Sequence, residues 1–197
     1  MGLISNGSTI FDNGAMASGF GGNLNFISKQ TASSSASLQF TGIDSTYDEY
    51  LFFINEMHPT SNAFPQFNFS TDNGSTYNVT KTTSAFSQSS GQGGEFAALN
   101  YRPDQDLAQS TSSQQLSIEV YTGASSACSG YLRLFNPSST TYVKQFIAAT
   151  QALHANYYIQ NYYIGGYGNT TSAIDAVKFE FASGNIETGE VILFGVS

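Results

Sequence analysis

The sequence predicts an all-β protein: an antiparallel β-sandwich or jelly roll of about eight to ten short strands over residues 36–197, with an extended N-terminal arm over residues 1–35. Three observations carry this. Apolar residues recur with period two in segment after segment, the period of a strand with one face buried. The chain is rich in β-favouring aromatics, with 16 Phe and 12 Tyr. Turn chemistry separates the segments at short intervals, as in sandwiches and jelly rolls.

The elements follow in order. Residues 1–35 hold clusters such as Ser5-Asn6-Gly7-Ser8, Asp12-Asn13-Gly14 and Ser18-Gly19-Phe20-Gly21-Gly22, all turn and loop formers. Short apolar pieces lie between them: Leu3-Ile4, Ile10-Phe11, Leu24 and Phe26-Ile27. A segment of this kind builds no core of its own, so its apolar pairs suit an arm docked on another surface. From residue 36, Leu38 and Phe40 alternate with polar neighbours, and residues 49–57 form a continuous apolar run, as in a buried sandwich strand. Phe67 and Phe69 alternate with Gln66, Asn68 and Ser70. The run Thr71-Asp72-Asn73-Gly74-Ser75 reads as a hairpin turn, since Asn-Gly tolerates positive φ, with Tyr77, Val79 and Lys81 starting the returning strand.

Residues 82–113 read as the least structured stretch, and residues 104–115 as a weak candidate for a short helix. Alternation resumes at Leu116, Ile118 and Val120, and again at Tyr131, Arg133 and Phe135, ending at Pro137. Residues 141–149 fit helix and strand templates alike, with Thr-Thr-Tyr-Val favouring strand. Residues 157–166 form a long aromatic strand, residues 177–182 another, and residues 189–196 the last, after a turn at Ser183-Gly184-Asn185. No period of 20–50 residues recurs, which argues against a propeller or solenoid.

Composition narrows the function. Charged residues are 10% of the chain, and Ser, Thr, Asn and Gln together make 73 of 197 residues. Six basic against 14 acidic residues, a net charge of −8, leave little to neutralise a phosphate backbone, so no nucleic-acid partner is expected. No apolar run approaches the roughly 20 residues of a membrane helix, so no membrane partner is expected. The opening Met1 to Gly7 lacks the basic and apolar regions of a secretory signal. The single Cys128 excludes an intrachain disulfide and reads as a buried inert thiol.

The catalytic inventory is thin. Neither Gly-x-Ser-x-Gly nor His-Glu-x-x-His occurs, and the two histidines, His58 and His154, sit in contexts that suggest structural roles. Asp104 beside Arg102 reads as an ion pair, and Asp44 as a turn cap. The expectation is no enzyme, no catalytic residue, no metal site and no cofactor. The stretch Tyr157-Tyr158-Ile159-Gln160-Asn161-Tyr162-Tyr163-Ile164-Gly165-Gly166-Tyr167 carries tyrosine on both faces, which suits a core strand or a contact surface for protein or glycan. The candidate interface residues are therefore Leu3, Ile4, Ile10, Phe11, Leu24, Phe26 and Ile27 in the arm, with Tyr157, Tyr158, Tyr162, Tyr163 and Tyr167 in the aromatic strand.

Several segments together resemble virion structural proteins of tailed phages infecting aquatic bacteria. They are residues 31–40 (Thr-Ala-Ser-Ser-Ser-Ala-Ser-Leu-Gln-Phe), 42–50 (Gly-Ile-Asp-Ser-Thr-Tyr-Asp-Glu-Tyr), His58-Pro59-Thr60 and 134–141 (Leu-Phe-Asn-Pro-Ser-Ser-Thr-Thr). Residues 166–173 (Gly-Tyr-Gly-Asn-Thr-Thr-Ser-Ala) and 183–195 join them. The resemblance spans most of residues 31–197 and falls on strands and turns, so it carries over no binding residue. It implies a non-enzymatic protein on the virion surface. A capsid decoration or cement protein fits best, with the arm laid across the major capsid protein and the module forming a homo-oligomer, a trimer among the options. The alternative is a tail-fibre or receptor-binding module joined to tail proteins, with loops contacting host surface glycans.

Overall fold

The structure is a computed structural model that describes residues 3–5, 8–12, 15–16, 24–123, 125–154 and 157–196, the first three ranges as backbone alone. The described residues are all strand, turn and loop, with no helix. Near the N-terminus β1 (Leu3–Ser5), β2 (Ser8–Asp12) and β3 (Ala15–Met16) pair with one another as a small antiparallel sheet. The side chains of Leu3, Ile4, Ile10 and Phe11 lie outside the described residues.

The body consists of two antiparallel sheets packed face to face. The larger has eight strands in the order β4-β15-β6-β11-β12-β13-β8-β9, and the smaller four in the order β10-β7-β14-β5. The larger comprises β4 (Leu24–Thr31), β6 (Glu49–Pro59), β8 (Lys81–Gly91), β9 (Ala97–Tyr101), β11 (Cys128–Phe135), β12 (Lys144–Leu153), β13 (Tyr158–Gly168) and β15 (Ile186–Val196). The smaller comprises β5 (Leu38–Thr41), β7 (Pro65–Ser70), β10 (Gln114–Gln115) and β14 (Ala176–Phe181). This is the sandwich that the period-two pattern predicts.

An aromatic cluster fills the space between the layers. Phe146 of β12 meets Phe67 and Phe69 of β7 edge to face, with centroids 5.2 and 5.5 Å apart. Phe52 of β6 packs on Phe179 of β14 and Phe40 of β5, each at 5.5 Å. Leu132, Leu134, Ala148, Ile164, Val191 and Leu193 complete the larger sheet's inner face, and Leu38 and Val177 the smaller's. Edge-to-face contacts suit the ring quadrupoles and add to the gain from removing apolar surface from water.

Four expectations change. Residues 24–31, assigned by sequence to the arm, form an edge strand of the larger sheet, paired with β15 from Glu190↔Thr31 to Val196↔Leu24. Residues 82–91, read as least structured, lie in one of the longest strands, β8. Its inward residues are Lys81, Thr83, Ala85, Ser87 and Ser89, so the strand buries small and polar side chains that leave no apolar alternation. Residues 104–115 form turns and the two-residue β10 rather than a helix. The Asn73-Gly74 turn forms, with φ of 55° and 82°, but the chain leaving it makes a single backbone hydrogen bond to β7, from Val79 N–H to the Phe69 carbonyl at 3.4 Å, and then crosses to the other sheet as β8.

Leu116, Ile118 and Val120 are buried as their alternation implies, yet only Val120 joins a bridge, with Ala63. Of the ambiguous residues 141–149, residues 144–149 lie in β12, an interior strand of the larger sheet, and residues 141–143 precede it as bend and loop.

Candidate functional site

The two sheets differ on their outer faces. On the smaller sheet, Asn68 of β7 points outward but is buried, because residues 77–79 and 111–113 lie over it. Its amide Nδ2 donates to the carbonyls of Tyr77 (2.8 Å) and Thr111 (3.1 Å). Lys178 Nζ sits 5.1 Å above the Tyr77 ring and pairs with Glu180 at 2.8 Å. This face is polar and covered by the chain itself.

The outer face of the larger sheet is aromatic and, among the described residues, uncovered. Strand register lays out two rows across it. One runs Tyr101, Phe86, Tyr163, Ala149, Tyr131, Phe53, Ile192, Lys29. The next runs Ser84, Gly165, Ile147, Arg133, Leu51, Phe194, Phe26. Phe86 stacks on Tyr163 with centroids 5.0 Å apart and planes 19° from parallel. At the opposite edge Phe194 takes Phe53 and Phe26 edge to face, at 5.7 and 5.9 Å. Phe26 remains 64% exposed, Tyr101 62%, Ile147 49% and Tyr163 40%. Exposed apolar side chains grouped on one face in this way differ from the single, scattered exposures of a soluble domain.

The charges on this face are already matched. Arg133 grips Glu49 bidentately, Nε to Oε1 at 2.5 Å and Nη2 to Oε2 at 2.8 Å, while its guanidinium lies 5.5 Å from the Phe135 ring. Lys29 pairs with Glu190 at 2.9 Å, and that hydrogen bond, with a second from Asn55, holds the Glu190 carboxyl below its usual range. Exposed pairs of this type add little stability, but they pair off Arg133 and Lys29, the two cations of these rows.

A shallow depression opens in the middle, lined by Ser129, Tyr131, Gln151, Asn161 and Tyr163. Its floor depends on Gly130, where a Cβ would stand 2.2 Å from the Ala149 carbonyl oxygen and the φ is 151°. Only glycine lets β12 come this close beside the register shift in β11. The lining offers aromatic faces and uncharged hydrogen-bonding groups.

The candidate residues divide clearly. Phe26 and Tyr163 lie on the open face, and Tyr167 faces the same side, in register with Gln145 and Thr82. Leu24 and Ile27 are exposed on the edge strand, Ile27 at a bulge where residues 26–28 oppose Leu193 and Phe194. Tyr157 is exposed in the turn before β13, and Tyr158 stacks on His154 at 4.2 Å. Tyr162 points the other way: it is fully buried, accepts a hydrogen bond from Gln105 Nε2 and belongs to the core.

Phe53, Phe86, Tyr101, Tyr131, Ile147 and Phe194 were missed. For Phe53 and Phe194 the signal was present in the continuous apolar runs of residues 49–57 and 191–196. Such a run marks a buried sandwich strand without saying what covers each face; here one face is core and the other is the open stripe.

The polar residues that invite a catalytic reading hold the structure together. His58 Nδ1 donates to the Ser126 carbonyl at 2.5 Å, and Nε2 lies 3.4 Å from Glu187. His154 packs between Tyr121 and Tyr158, and burial lowers its pKa. Cys128 is fully buried, which pushes its thiol up to about 12. Asp104 pairs with Arg102 at 2.9 Å, and Asp44 accepts from the Thr46 amide at 2.8 Å, as expected. Asp72 accepts from the Thr76 amide and hydroxyl and from Ser70, which holds its carboxyl down at about 2. No group of three or more His, Cys, Asp or Glu among the described residues is placed to hold a metal ion.

Comparison with protein-family models, curated proteins and solved structures gives no match for this chain.

Proposed function

We propose that the chain is a non-enzymatic structural protein of a tailed-phage virion, a capsid decoration or cement protein that acts by adhesion to its neighbours. The observation that supports this most is the stripe across the larger sheet, uncovered among the described residues, to which every strand but β12 gives an aromatic side chain and in which Arg133 and Lys29 are internally paired. Large, rigid aromatic side chains bury much area at small entropic cost and anchor interfaces. A protein that binds only the assembled shell stabilises that assembly by mass action. In this reading the stripe seats the body on neighbouring shell subunits or on further copies of itself, and the N-terminal segment extends the contact.

The depression at Tyr131, Gln151, Asn161 and Tyr163 favours a second reading, a tail-fibre or receptor-binding module whose rings and amides hold a host glycan. The deciding experiment locates a labelled copy on phage particles by electron microscopy. Label on heads at a fixed high copy number is the expected result. Label at the tail alone, with glycan binding by the isolated protein, selects the second reading. Particles without label overturn both.

A further inference from the structure

Lys81 is one of only six basic residues, and its side chain is fully buried. It extends from the first position of β8, in the larger sheet, to Asn68 on β7, in the smaller. Nζ donates to Asn68 Oδ1 at 2.5 Å and to the Val79 carbonyl at 2.8 Å, and no described carboxylate lies within ion-pair distance of it. A buried cation without a counter-ion is costly. Burial accordingly lowers its pKa to about 8, so a fraction of the amine is neutral at neutral pH.

The amide that faces it is oriented by its partners. Asn68 Oδ1 also accepts from the Phe69 backbone N–H at 2.9 Å, a donor placed to stabilise negative charge developing on that oxygen. Nδ2 faces acceptors: the Tyr77 and Thr111 carbonyls and, at 3.4 Å, Ser113 Oγ. Ser113 Oγ lies 3.2 Å from Glu180 Oε1, which connects the amide nitrogen to a carboxylate. Lys144 provides the contrast. It too is fully buried, but its Nζ donates to three backbone carbonyls, those of Ser139, Tyr142 and Thr170, and meets no side-chain amide.

We propose that Lys81 and Asn68 form an intramolecular amide cross-link that staples the two sheets together. The neutral Nζ attacks Cγ of Asn68, forming the Nζ–Cγ bond and, for a moment, a negative oxygen held by the Phe69 N–H. One proton passes from Nζ to Nδ2, the Cγ–Nδ2 bond breaks, and ammonia leaves. Counted from the lysine ammonium, the products are the secondary amide and an ammonium ion, so atoms and charge balance with no other reagent. The reaction replaces an uncompensated buried cation with a neutral amide, a favourable exchange in a low-dielectric interior.

Intact-mass measurement of the full chain is the first test, with a product one ammonia lighter than the sequence expected. A succinimide at Asn73-Gly74 has the same mass, so the second readout is digestion of the denatured chain with a protease that cuts before Asp72. That is the only Asp or Glu between residues 68 and 81. The expected result is a branched peptide joining the two sides of the cut, absent from Lys81→Met. A wild-type chain that yields two separate peptides, even after long incubation at about pH 9 where the amine is neutral, overturns the proposal without recourse to any variant.

Discussion

Adjacent residues on β12 offer a sharp perturbation, because register sends Phe146 inward and Ile147 outward. Phe146 is 1% exposed and meets Phe67 and Phe69 across the gap between the layers. Truncation to Ala removes a buried ring and leaves a cavity between two sheets that cannot close freely, a cost of about 3–5 kcal/mol. The two edge-to-face contacts place the value toward the top of that range. Against a total stability of about 5–15 kcal/mol this is a large loss, and for a chain of this size it lowers Tm by on the order of 10 °C. Ile147→Ala, at a position 49% exposed, costs under about 1 kcal/mol. Denaturant unfolding of both variants, with m unchanged from wild type, gives the comparison. Equal losses, or a larger loss for Ile147→Ala, would refute the assignment of core and open faces.

Three further outcomes follow from single contacts. Cys128, with its thiol buried and raised to about 12, resists a thiol-reactive dye in the folded protein and reacts only on unfolding; rapid labelling under native conditions contradicts its placement. Asp72 has a folded pKa depressed to about 2 by hydrogen bonds from Thr76 and Ser70. It therefore stabilises the fold above the ordinary carboxylate range, and that contribution disappears as pH falls through about 2. Wild type should outlast Asp72→Ala in thermal melts at neutral pH and converge with it in strong acid. Gly130→Ala drives a Cβ against the Ala149 carbonyl and should lower Tm well below the effect of Gly123→Ala, where the space is open; equal melts would remove the close approach of β11 and β12.

Much of the sandwich was legible because its core strands obey period two. Leu38 and Phe40, Phe67 and Phe69, and Val177 to Phe181 reveal their inner faces directly. Strand β8 was not legible, because its inward residues are Thr83, Ala85, Ser87 and Ser89, buried by hydrogen bonding and close packing rather than by apolar character. Thr83 Oγ1 donates to Gln114 at 2.6 Å, and Ser89 accepts from Gln160 at 2.6 Å. Those partners are 31 and 71 residues distant, beyond any local pattern. The open face was hidden by a different ambiguity. An apolar run such as residues 50–54 records that both faces are apolar, not what covers each. Tyr163 was legible as a contact residue and Tyr162 was not separable from it, since two tyrosines in succession fix no phase until the strand's neighbours are known.

The proposed role assigns the contact with other virion proteins to the open face. Incorporation of a Phe26→Asp, Tyr163→Asp double variant into phage particles tests this most directly. Both side chains are exposed, so the variant should melt within a few degrees of wild type. The prediction is a folded variant missing from purified particles that carry the wild-type chain. A folded variant present at the wild-type copy number would contradict it.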